Sequence, residues 1–217
     1  MSLRFLAAIA LLSSSTIAQA DIRATYSDGS VVEINDDGSA RSNVVSDGHW
    51  MLRHAGRDYL LVADGGEVKV LDPVIVEQVA NAYTPDMIAH FINEVPPLVA
   101  NAAGSVSVDG RPATGYRVDN EAEISFAIST DPELSELGQL IASQFSVWVY
   151  MQGPLGRLSA PLADMFATGT AVRIGNVDLV SVEEVAIDDS HFVLPGEPLD
   201  WFATEELMLR AGLIEVG

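Results

Sequence analysis

The chain contains no cysteine. It therefore holds no disulfide, no thiolate nucleophile or metal ligand, and no cysteine that could carry a lipid anchor. Basic residues are scarce: 11 Lys and Arg stand against 31 Asp and Glu, for a formal net charge of −20. Such a surface repels phosphate backbones and anionic head groups, which excludes nucleic acid as a partner. Long apolar runs are missing as well. Nothing beyond the N-terminal segment approaches the roughly 20 apolar residues of a spanning helix, so the mature chain is not expected to cross a membrane. The hydrolytic and nucleotide-binding motifs G-x-S-x-G, H-E-x-x-H, C-x-x-C and the phosphate loop are all absent. No enzymatic activity and no cofactor are expected; an enzyme with an unrecognised site is the outlying alternative.

The titratable residues that are present do not gather by spacing. His49, His54, His90 and His191 show no ligand pattern, and no metal site is expected. The adjacent carboxylates Asp36-Asp37, Glu183-Glu184, Asp188-Asp189 and Glu205-Glu206 point to opposite faces wherever they lie in strands. In so acidic a chain they read as solvated surface.

The first twenty residues, MSLRFLAAIALLSSSTIAQA, have the form of a secretory leader. Arg4 supplies the basic start, residues 5–12 the apolar core, and Ala18-Gln19-Ala20 the small-x-small cleavage site. The expected organisation is a signal peptide over 1–20 and a single domain over 21–217, located in the periplasm.

Asp-Gly recurs at Asp28-Gly29, Asp37-Gly38, Asp47-Gly48 and Asp64-Gly65, with Ala55-Gly56 in the one long gap. Alternating apolar and polar residues fill the intervals, which predicts six short strands over residues 22–71 joined by tight hairpins. Calcium loops would need glycines and carboxylates at fixed offsets that INDDGSARS does not supply. Helices are expected from Pro73, from Thr84 with Pro85 at the first helical position, from Asp131-Pro132-Glu133 and along Leu155–Phe166. Further strands are expected in GSVSVDGRPATGYRV, EISFAIS, AVRIG, VDLVSVEEVAI and HFVLP, and a closing helix near Thr204–Ala211.

The helices carry an unusually large apolar set, including the run FSVWVYM from Phe145 to Met151. Phe91, Ile141, Phe145, Trp148, Met151, Leu162 and Phe166 are the candidate ligand-binding residues, because aromatic rings and methionines line lipid pockets. Residues of the same kinds also build ordinary cores, so the set reads either way.

The opening ADIRATYSDGS, the central VDGRPATGYRV, then EISFAIST followed by DPELSELGQLIASQF, and the late GTAVRIGNVDLVSVEEV together carry a resemblance. The chain resembles the LolA/LolB-type half-barrel of periplasmic lipoprotein carriers, and more closely an uncharacterised periplasmic family of unknown function that shares it. The resemblance implies an α+β domain in which a curved antiparallel sheet wraps over helices packed on its concave face. It also implies an apolar cavity, hence a binding or carrier protein for a lipid-like or other hydrophobic ligand. No functional residue of the carriers is transferred to a position here. The alternative is a cell-envelope protein-interaction module with a core filled by side chains and a protein partner in place of a ligand.

Overall fold

Each Asp-Gly corner visible in the computed structural model, which describes residues 21–44, 49–84, 90, 92–119 and 121–214, reverses the chain. Asp28 Oδ1 accepts from Ser30 N at 2.9 Å and Asp37 Oδ1 accepts from Ser39 N at 2.7 Å, so these carboxylates are committed to backbone amides within their turns. At Asp109-Gly110 both residues have positive φ, 48° and 80°, the conformation that a two-residue primed turn requires. Asp47-Gly48 lies outside the described residues.

The turns connect β1 (Asp21–Tyr26), β2 (Val31–Ile34), β3 (Ala40–Ser42), β4 (Trp50–His54), β5 (Arg57–Asp64) and β6 (Glu67–Leu71). Helix α1 (Pro73–Tyr83) follows, with Asp72 accepting from Val74 N and Pro73 in its first turn. Next come β7 (Ala100–Val108), β8 (Arg111–Val118) and β9 (Phe126–Ser129). Helices α2 (Ser135–Met151) and α3 (Gly156–Phe166) precede β10 (Thr170–Ile174) and β11 (Val177–Val185), and α4 (Trp201–Arg210) comes last. Of the helix expected from Thr84, residues 85–89 and 91 lie outside those described, while residues 90 and 92–94 are helical; the Thr84 hydroxyl donates to Ala80 O at 2.7 Å, at the end of α1.

The eleven strands of the described residues form one antiparallel sheet, ordered β6-β5-β4-β3-β2-β1-β11-β10-β9-β8-β7. Its centre is the pairing of the first strand with the last, Asp21 opposite Val185 and Ala24 opposite Val182. β6 and β7 are the two edges and do not meet, so the sheet is open and not strongly curled. The fold is therefore α+β, one large antiparallel sheet with helices packed on it.

Alternation along the strands separates two faces. Ala24, Tyr26, Val32, Ile34 and Ala40 face α2 and α3, and with Leu137, Ile141, Phe145, Leu162 and Phe166 they form the main core. The Tyr26 hydroxyl donates to Ala171 O at 2.8 Å, and complete burial pushes its pKa up. A second cluster lies under α1 and α4, where Met51, Leu71, Val76, Val79, Met151, Leu207 and Met208 meet. Trp148 packs against both.

Two glycines let the helices approach their neighbours. A Cβ at Gly138 of α2 would fall 2.4 Å from the Thr170 hydroxyl, and one at Gly156 would fall 2.1 Å from Val149 O in the preceding helix. Gly156→Ala should therefore destabilise the fold by about 1–3 kcal/mol through overpacking against backbone that cannot yield. Thermal melting of the purified variant checks this, and an unchanged melting temperature would contradict the α2–α3 geometry.

Three expected elements differ. HFVLP is not a strand: Asp188 accepts from Ser190 N and closes a 3-10 turn over Asp189–Phe192, after which the chain runs without regular structure to Asp200. The last helix starts earlier than Thr204, at Trp201, because Asp200 caps it through Ala203 N. The strand within EISFAIS begins only at Phe126.

The segment after β11 crosses the sheet face opposite the helices. Ile187 N donates to Asp21 Oδ2 at 2.7 Å, His54 Nδ1 lies 2.9 Å from Phe192 O, and Leu199 N donates to Val70 O on edge strand β6 at 2.8 Å.

Candidate functional site

Helical spacing brings part of the candidate ligand set together. Ile141 and Phe145 on α2 meet Leu162 and Phe166 on α3 in the main core, and Trp148 lies at its border. Met151 belongs to the second cluster. Phe91 lies outside the described residues. The rings close directly on one another: Phe145 stacks on Phe166 with centroids 4.4 Å apart, Phe126 meets Phe166 edge-on at 5.3 Å, and Phe145 lies 5.7 Å from Trp148. Such contacts contribute about 0.5–1.5 kcal/mol per pair beyond area burial.

Open space lies beside this aromatic cluster. A cavity of about 410 Å³ opens between the start of α2 and the α3–β10 connection, and Phe166 forms part of its wall. Polar side chains surround it, among them Ser129, Asp131, Thr168 and Thr170, and among the described residues no Lys, Arg or His lines it. Ser129 and Thr170 are buried at 1% exposure, so part of this polarity is set within the fold and not at the solvent surface. Thr170 Oγ1 donates to Leu134 O at 2.7 Å, and Ser129 Oγ accepts from Asp131 N at 3.3 Å. Gly138 and Gly169, whose missing Cβ atoms allow α2 and the connection to approach β9 and β10, also border it.

A second cavity of about 410 Å³ lies between α1, α2 and β5. Its charges are already paired. Arg57 bridges to Asp72 at 2.9 Å, and nearby Arg53 holds Asp58 at 2.9 Å while donating to the Ser143 hydroxyl at 2.5 Å. This space is a seam tying α2 to the sheet, and the first cavity is the better candidate for a ligand.

One cluster escaped the sequence reasoning. On the face away from the helices, Glu33 is almost fully buried, and Arg23, Arg41 and His191 surround its carboxylate at 2.7, 2.5 and 3.1 Å. Burial alone would raise its pKa; hydrogen bonds from Arg41, Arg23 and His191 outweigh that and hold it below the usual carboxylate value. Arg41 also stacks over the Trp50 ring at 4.4 Å. A usable signal existed: hairpins centred on Asp28-Gly29 and Asp37-Gly38 set Arg23 opposite Glu33, and Glu33 opposite Arg41.

Among the described residues no group of three His, Asp or Glu could hold a metal ion, and no helix is long and apolar enough to cross a membrane. No protein-family model matches the chain, and no curated protein or solved structure is significantly similar to it.

Proposed function

We propose that the chain is a periplasmic binding or carrier protein for a lipid-like or other hydrophobic ligand, built on a half-barrel of the LolA/LolB type. Phe166 carries the proposal. It belongs to the aromatic core and also borders the 410 Å³ cavity, so the cavity abuts the core at this residue. The volume suits a small-molecule pocket, which typically measures about 300–1,000 Å³. Each methylene buried would contribute about 0.8 kcal/mol, so a short alkyl chain needs few polar contacts.

A second proposal is an envelope protein-interaction module. It is favoured by the ring-to-ring filling of the core and by Phe202, 75% exposed beside Trp201 on α4.

Native mass spectrometry of the chain isolated from a periplasmic extract tests both. The carrier proposal expects a chain starting at Asp21 that retains a ligand or takes up an added amphiphile. A chain that arrives bare and takes up no amphiphile of any head group removes the carrier and leaves the interaction module.

A further inference from the structure

We propose that the cavity beside Phe166 selects its ligand by head group, accepting an alkylammonium and rejecting a carboxylate or phosphate. The proposal presupposes that this cavity is a ligand site. An anion seated near a helix start ordinarily finds free amides there. In the turn that leads into α2 they are already engaged. Pro132 has no N–H, Glu133 N donates to Asp131 Oδ1 at 3.0 Å, Leu134 N donates to Asp131 O at 3.1 Å, and Ser135 N donates to Pro132 O.

Two of the cavity's hydroxyls are oriented to the same effect. Thr170 Oγ1 and Thr168 Oγ1 each donate at 2.7 Å to backbone carbonyls, of Leu134 and Met165, which leaves their lone pairs to accept. Among the described residues, Asp131 is the one charged residue on the cavity wall. Its Oδ1 holds Glu133 N, whereas Oδ2 makes no hydrogen bond among the described residues. A carboxylate oxygen with accepting hydroxyls nearby and no lining cation solvates an ammonium and repels an anion.

The test uses the mature chain with dodecylamine, dodecanol and dodecanoic acid in titration calorimetry at low salt. Dodecylamine should bind about 10-fold more tightly than the acid, the scale of one charge-assisted hydrogen bond. Asp131→Asn keeps a good cap for the turn, so the fold is retained while the charge is lost, and the preference should shrink to about 3-fold or less. Glu197→Gln, an exposed acid elsewhere, should leave the preference unchanged and so separates the site from the general attraction of an acidic chain for cations. Equal or tighter binding of the acid overturns head-group selection while the cavity still stands as a ligand site. An equal effect of both substitutions also overturns it. Failure of all three amphiphiles to bind overturns the ligand site as well.

Discussion

Glu33→Gln should destabilise the protein by about 3 kcal/mol at neutral pH, the scale for removing one partner of a buried ion pair. The substitution preserves shape and removes the one negative charge that Arg23, Arg41 and His191 share. The expected pH dependence is specific. The Glu33 pKa is lowered in the folded protein, so its contribution is complete above the unfolded-state value of 4.5 and is lost as pH falls through the lower folded value. Wild type and variant should therefore differ most near neutrality and converge in strong acid. Urea unfolding at several pH values reads this directly. A constant difference between the two proteins across the acid range would mean that the carboxylate is not held by charge.

Phe166→Ala should cost about 3–5 kcal/mol, the range for truncating a buried aromatic residue. The side chain is 1% exposed, stacks on Phe145 and meets Phe126 edge-on, so its loss opens a void at the centre of the aromatic cluster. The void adjoins the existing cavity. A bulkier apolar ligand should then recover part of the lost stability by filling it, seen as a ligand-dependent rise in melting temperature larger than in wild type. A variant as stable as wild type would place Phe166 outside the core, and the route from cavity to core would go with it.

Much of the sheet was legible because its chemistry is local. Each Asp-Gly corner carries its own geometry, and residues 22–71 fold into the six expected strands. Helix α2 could be read from the spacing of Leu134, Leu137, Ile141 and Phe145, and Asp131 caps the turn that introduces it. HFVLP misled because its alternation is that of a strand, while the capping Asp188 upstream fixes a 3-10 turn instead. The neighbour relation between β1 and β11 had no local signal, since a strand's pattern shows which face it buries but not which distant strand lies beside it. Glu33 was overlooked for a related reason. In a chain with 31 acids, one more reads as surface until the hairpin register sets it between two arginines.

The candidate site was legible only in its greasy half. Helical periodicity pointed to Ile141, Phe145, Leu162 and Phe166, and these meet in space. The polar wall could not be read that way. It comes from two separate stretches, around Asp131 and over Thr168–Thr170, brought together by the close approach that Gly138 and Gly169 permit.

Because Asp21 lies opposite Val185, the middle of the sheet is stitched by the two strands farthest apart in sequence among those described. The six-strand meander can assemble early from contacts close in sequence, but it ends in an unmatched ribbon at β1 until β11 has been synthesised and delivered. Closing so long a loop is entropically slow, and topologies dominated by such distant pairings fold slowly. A ribosome-bound chain from which β11 has yet to emerge would thus present a bare, hydrogen-bonding flank at the very strand that should become its midline.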